Sequence, residues 1–225
     1  MLLVESVNPE NLIKERSDYL CSMSFKKINQ ELLEVLANDG VESPNDFQSA
    51  MIPKIKSGAS CYGFAEKGAG KTTTALMMAL NKIDFKEQGD NPQVVIFAEN
   101  KKKVVEIEEK LKELTYRTDI RTFCIYEEGD LTYQKNTIYP GVDILVATTK
   151  RFAQLYFQNG INLNELKMII VDDAEFLNRG TSHTDLDRIN ESLKSCQFVL
   201  FAEKDDAKFN RLNELFMQRA IKVKA

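Results

Sequence analysis

Ala65-Glu66-Lys67-Gly68-Ala69-Gly70-Lys71-Thr72 is the stretch that decides the fold, because few other chemistries need these residues in this order. Before it lies Cys61-Tyr62-Gly63-Phe64, a short apolar run that reads as a buried strand. After it comes Thr73-Thr74-Ala75-Leu76-Met77-Met78-Ala79-Leu80, a good helix former. A strand, a glycine-rich turn and then Lys-Thr opening a helix form the context that a phosphate-binding loop requires. Gly68 and Gly70 allow the backbone to curl so that successive N–H groups point at one phosphate. The helix N-terminus adds unpaired donors and a positive dipole end. In this reading Lys67, Gly68, Ala69, Gly70, Lys71, Thr72 and Thr73 cradle the phosphates of a nucleoside triphosphate. Lys71 reaches the outer phosphates, and the Thr72 hydroxyl ligates Mg2+.

Outward from the loop, strand-like and helix-like segments alternate. Apolar β-rich runs occur at Val94–Ala98, Thr122–Tyr126, Asp143–Ala147, Met168–Val171 and Phe198–Phe201. Helical spacing appears at Ile28–Leu36, Lys101–Leu114 and Asp185–Leu193. Short strands that are apolar throughout belong in a parallel sheet covered on both faces. The chain is therefore expected to be an α/β phosphate-loop domain, with a mostly parallel central sheet and helices on both faces. Met168-Ile169-Ile170-Val171-Asp172-Asp173-Ala174-Glu175 is an apolar strand running into acids, where a magnesium ion needs its second protein contact. Asp172 is assigned to the metal, and Asp173 to the attacking water as base or positioner. A polar strand end with solvated carboxylates is the plainer reading of the same run.

At 225 residues and 43% hydrophobic content the chain can bury a full core, and no composition shift or low-complexity linker divides it. Residues 1–24 read as an N-terminal extension, with a helix over Asn11–Met23, and residues 25–225 as one domain. No apolar run approaches the length of a membrane span. Cys21, Cys61, Cys124 and Cys196 lack paired spacing and read as reduced thiols of a cytoplasmic protein. His183, the single histidine, sits in a polar run and reads as a solvated loop residue. The net charge of −4 supplies no global attraction to nucleic acid, although a local basic face remains compatible with it.

Taken in order from Phe25, these features resemble the first RecA-like domain of DEAD-box RNA helicases. Gly40-Val41-Glu42-Ser43-Pro44-Asn45-Asp46-Phe47-Gln48 is similar to the family's Q motif, which implies that Gln48 reads the adenine edge and Phe25 stacks on the base. Ala65–Thr72 matches AxxGxGKT, including its opening Ala; Asp172–Glu175 stands where DEAD stands. Gly141–Thr148 resembles the strand entering motif Ib, and Gln197–Phe201 leads into the position of motif III. The resemblance implies ATP and Mg2+ as ligands, Lys71 and Asp173 as catalytic residues, and RNA as a partner.

Several positions depart from the family's pattern. PTREL is Glu99-Asn100-Lys101-Lys102-Lys103 here, the glycine doublet is Glu127-Glu128, TPGR is Thr148-Thr149-Lys150-Arg151 and SAT is Ala202-Glu203-Lys204. These segments touch the RNA backbone in the family or couple it to ATP. Lys101, Thr148, Lys150 and Arg151 are the candidate nucleic-acid residues, and the lysines read equally well as a solvated face. Asp173 replaces the catalytic Glu, which withdraws the carboxylate by roughly 1.5 Å, so hydrolysis is expected to be weak. A second RecA-like domain is not recognised, and Ile221–Ala225 falls about where the interdomain linker would begin. Two readings follow: an ATP-binding domain of a helicase that does not unwind RNA alone, completed by a second RecA-like domain or a protein partner, or a non-catalytic, nucleotide-gated interaction module. An unrelated phosphate-loop kinase or GTPase leaves Gln48 unexplained.

Overall fold

A computed structural model describes Phe25, residues 28–179 and residues 182–225. The helix expected over Asn11–Met23 lies outside the described residues. After α1 (Gln30–Asn38) and α2 (Asp46–Lys56), strands and helices alternate as β1 (Cys61–Phe64), α3 (Lys71–Lys82), β2 (Val94–Phe97), α4 (Lys101–Leu114) and β3 (Thr122–Ile125). They continue as α5 (Leu131–Ile138), β4 (Ile144–Ala147), α6 (Thr149–Phe157), β5 (Met168–Val171), α7 (Ser182–Glu191), β6 (Gln197–Ala202), α8 (Asn210–Leu215) and β7 (Ile221–Lys224). The expected strands Cys61–Phe64 and Met168–Val171 and the expected helix Lys101–Leu114 have these same bounds, and the other expected segments differ by up to three residues at an end.

The seven strands form one sheet in the order β3-β4-β2-β5-β6-β1-β7, and every pairing is parallel. Alternating side chains leave each strand in opposite directions, so one sheet builds two cores. Cys61, Val94, Ile96, Ile144, Ile170, Val199 and Phe201 pack beneath α1, α2, α3 and α4. Tyr62, Phe64, Val95, Phe97, Leu145, Ile169 and Leu200 pack with residues of α6, α7 and α8. Gly63 is glycine for a packing reason: a Cβ there would lie 2.9 Å from the Phe201 ring and 3.0 Å from Phe47. Those two rings meet edge to face at 6.1 Å over the bare backbone.

Two corrections concern single segments. His183 is not a loop residue: it lies in the first turn of α7, half-buried, with Nε2 3.2 Å from the Thr184 hydroxyl. Ile221–Lys224, read as the approach to a linker, is an edge strand registered Cys61↔Ile221 and Phe64↔Lys224. Its alternation buries Val223 and exposes the lysines, a common device for blunting a sheet edge.

Candidate functional site

β1 delivers the glycine-rich turn at the C-terminal edge of the sheet, where the Ala65 N–H donates to the Ala202 carbonyl at 3.1 Å. Gly68 and Gly70 both take left-handed backbone angles, φ +89° and +83°. Gly68 faces open space, so only its backbone angle requires glycine. Gly70 is constrained twice, since a Cβ would lie 3.0 Å from Gln48 Nε2 and 3.1 Å from Asn45 Nδ2. Gly70 is also the N-cap of α3 and provides no side-chain cap, so the first N–H groups of the helix are left for another acceptor. Lys71 is buried and donates to the carbonyls of Ala65 at 2.7 Å and Glu66 at 3.0 Å. Lys67 is exposed, and Ala69, Thr72 and Thr73 are half-buried around the turn.

Gln48 is buried at the start of α2, in a reciprocal cap. Its Oε1 accepts from Asn45 N at 3.0 Å, while Asn45 Oδ1 accepts from Gln48 N at 2.9 Å. Asn45 Nδ2 then donates to the Ala69 carbonyl at 3.0 Å, which fastens α2 to the phosphate loop. Phe25 is half-buried on the first core, and its carbonyl accepts from Ile28 N at 3.0 Å.

The acids arrive on β5, separated from β1 by β6. Asp172 is 2% exposed, and its Oδ2 accepts from Thr72 Oγ1 at 2.8 Å. Its other oxygen, Oδ1, is buried without a partner. Burial pushes this carboxyl up to about 6, against the Thr72 hydrogen bond, which acts to lower it. The paired hydroxyl and carboxylate, with one carboxylate oxygen unspent, fit a hard cation. Among the described residues no cluster of three or more His, Cys, Asp or Glu could hold a metal alone. Asp173 has φ +50°, a left-handed angle that Asp tolerates better than most residues, and its Oδ2 lies 4.0 Å from Lys103 Nζ. Glu175 Oε1 accepts from the Glu203 backbone N–H at 2.5 Å, so the β5 and β6 ends are joined although the motif III side chains differ.

The candidate nucleic-acid residues lie around the ends of β2, β3 and β4. Lys101 is exposed, its ammonium 5.0 Å from the Tyr126 ring centre, and Lys150 is exposed on α6. Thr148 and Arg151 are buried, and both engage Glu127. Thr148 Oγ1 donates to Glu127 Oε2 at 2.6 Å, and Arg151 Nη2 donates to the Glu127 carbonyl. Sequence reasoning missed the roles of Asn45, Lys103 and the Glu203 amide. Only Asn45 carried a readable signal, through its Asn-x-x-Gln capping pattern. A cavity of about 830 Å³ lined by Asn91, Tyr139, Asn162 and Leu193 opens at the N-terminal edge of the strands, away from all these groups.

Known proteins resemble this chain in sequence and in fold. The chain is 26% identical over 193 residues to the DEAD-box ATP-dependent RNA helicase rde-12 of Caenorhabditis elegans, covering 82% of this chain and 20% of that one. It is 25% identical over 205 residues to the ATP-dependent RNA helicase CshA of Listeria monocytogenes, covering 88% of this chain and 38% of that one. It thus spans only about a fifth to two fifths of these relatives' lengths. The crystal structure of the yeast DEAD-box splicing factor Prp28 superposes with a TM-score of 0.78 at 20% identity, over 88% of this chain and 50% of that one, which establishes the RecA-like fold. The model of the DEAD/DEAH box helicase family matches residues 45–202, the span from the Asn45 cap to the end of β6 and well over half of the chain. The protein described here accordingly belongs to the DEAD/DEAH box helicase family.

Proposed function

We propose that this chain is a Mg-ATP-binding helicase domain that hydrolyses ATP weakly and does not unwind RNA by itself. The observation that carries the reading is the Thr72–Asp172 pair at 2.8 Å, with Asp172 Oδ1 buried and unpartnered beside the glycine-rich turn. Gln48, held against Gly70 by the Asn45 cap, would read the amino edge of adenine next to the phosphate loop. Lys71 exchanges its two carbonyl partners for phosphate oxygens, and the free N–H groups of α3 complete the cradle. Thr72 and Asp172 would hold magnesium, which when bound neutralises charge on the transferring phosphoryl group. Asp173 orients the attacking water and accepts its proton, from a position one methylene short. The free thiols of Cys61, which is buried, and of Cys124 and Cys196, which are half-buried, are pushed up to about 11, 11 and 12 by desolvation and suit a reducing compartment, and we place the protein in the cytoplasm.

A non-catalytic, nucleotide-gated interaction module is the second reading, favoured by one observation: Glu127 engages the buried Thr148 and Arg151. Calorimetric titration with Mg-ATP, ADP and GTP tests the nucleotide site. Adenine-selective binding is expected, with loss in Lys71→Ala and loss of base selectivity in Gln48→Ala. Absence of binding to all three nucleotides would overturn the proposal. RNA-stimulated phosphate release would then separate the two readings.

A further inference from the structure

We propose that Lys103 is a positioning residue for hydrolysis: its ammonium holds the Asp173 carboxylate in the direction that serves the attacking water, and Glu106 competes for that ammonium. The inference rests on the helicase-domain reading and concerns what governs the rate of its chemical step.

Lys101-Lys102-Lys103 opens α4, whose first turn carries no acid. Ammonium groups at the positive end of a helix oppose its dipole, and a helix start ordinarily carries Asp or Glu there. A local rule broken in this way marks a place where another interaction is served. The lysines serve different ones. Lys101 stands over the Tyr126 ring at 5.0 Å. Lys102, its side chain 85% exposed, pairs with Glu106 Oε1, 3.9 Å away on its own helix. Lys103 is half-exposed, with Nζ 3.7 Å from Glu106 Oε2 and 4.0 Å from Asp173 Oδ2. It is the member of the run that reaches from α4 to the acids at the end of β5. Its stem starts from a fixed point, because Asn100 Oδ1 accepts from Lys103 N at 3.2 Å and the next residue, Val104, is buried in the first core.

Asp173 needs such a partner. Its left-handed backbone angle sets where Cβ points, yet its side chain makes no cap to the 3-10 turn Ala174–Asn178 that follows. Among the described residues Lys103 is its only ion-pair partner. A short carboxylate left to rotate spends part of its time turned from the water, and a placement error of about 1 Å costs on the order of a hundredfold in rate. Asp172 is held differently, by burial and by the Thr72 hydroxyl. Glu106 lies nearer to the ammonium than Asp173 does and also pairs with Lys102, so the charge of Lys103 is divided between its own helix and the acid. Neutralising Glu106 hands the ammonium to Asp173.

The test follows steady-state phosphate release by the full chain against Mg-ATP concentration. Lys103→Met should lower kcat about fivefold, the upper range for a half-exposed ion pair, and leave KM unchanged because the side chain acts through Asp173 and not on the nucleotide. Lys103→Arg should restore most of the rate. Lys102→Met, which removes the same charge from the same turn, should stay within about twofold of the parent, as a screened surface charge does. Glu106→Gln should raise kcat by about twofold. A raised KM in Lys103→Met would make Lys103 a nucleotide contact, and an equal loss in Lys102→Met would make the effect one of general charge. Either result overturns the proposal, as does an unchanged kcat in Lys103→Met. If the parent releases too little phosphate to follow, Mg-ADP with fluoroaluminate, a stand-in for the transferring phosphoryl group, supplies the readout. Lys103→Met should then weaken its binding about fivefold with Mg-ADP alone unaffected, and equal binding overturns the proposal. A parent that binds no nucleotide at all defeats the helicase-domain reading and this inference with it, whereas intact nucleotide binding with an unmoved Lys103→Met defeats this inference alone.

Discussion

Asp173 combines a short carboxylate with a left-handed backbone angle, φ +50°, directly after the buried metal candidate Asp172. Its side chain reaches 4.0 Å from Lys103 Nζ, a weak and half-exposed ion pair that steadies it without burying it. Lengthening this residue should recover reach. Asp173→Glu is expected to raise the steady-state rate of phosphate release about tenfold, with Asp173→Asn lower than the parent, because an error of about 1 Å in placement costs on the order of a hundredfold. An unchanged rate in the glutamate variant would mean that reach is not what limits hydrolysis. Lys71, Thr72 and Asp172 were readable in the sequence because each follows from local chemistry: glycine spacing before a Lys-Thr helix start, and acids ending an apolar strand. Lys103 and Glu127 were not readable in the same way. The partners that define them, Asp173 and Thr148, come from other strands, so a run of lysines or glutamates gives no sign of which member turns inward.

Among the elements, the capped start of α2 and the edge strand β7 illustrate different kinds of fastening. The α2 cap ties the Gln48 segment to Ala69 through one Asn45 amide, which in the proposed nucleotide site would link the base end to the phosphate end mechanically. β7 is held by its pairing with β1 and by Asp205, whose carboxylate lies 2.9 Å from both Lys222 Nζ and Lys224 Nζ. The hydrogen bonds from Lys222 and then Lys224 hold this carboxyl below the usual aspartate range. A depressed folded-state pKa contributes stability above the unfolded value, near 4, and that contribution disappears as pH falls through the lower folded value. Edge-strand protection should therefore weaken below about pH 4. Asp205→Asn should show the faster exchange already at neutral pH, read at the amides of Ile221 and Ala225 that bond to Ser60 and Phe64. Unchanged exchange in the variant would assign β7 to backbone pairing alone. The strands β1 to β6 were legible because each is apolar at most positions, as strands of a covered parallel sheet are. β7 was not, since its Ile-Lys-Val-Lys pattern buries a single side chain.

For the whole molecule, the seven-stranded parallel sheet gathers the phosphate loop, the acids and Glu127 along one edge, the C-terminal one. Ligand energy entering at that edge acts on a single cooperative body. Mg-ATP at about a hundredfold excess over its Kd should add roughly 2.7 kcal/mol, which for a chain of this size corresponds to a rise in Tm of about 5–10 °C. Lys71→Ala should lose that rise, and a parent protein with no rise would argue against a working nucleotide site. The global fold was the most legible level, because alternation of strand and helix survives substitutions that erase individual motifs. The link between Glu175 and the Glu203 amide, at 2.5 Å, extends this point to mutational history. A contact accepted from the main chain is indifferent to the identity of the side chain that follows the same N–H. Residues 203 and 204 can drift through nearly the whole alphabet while the joint persists, and only proline at 203, which has no N–H to offer, would delete it. Divergence in that segment is therefore a poor clock for loss of communication between β5 and β6.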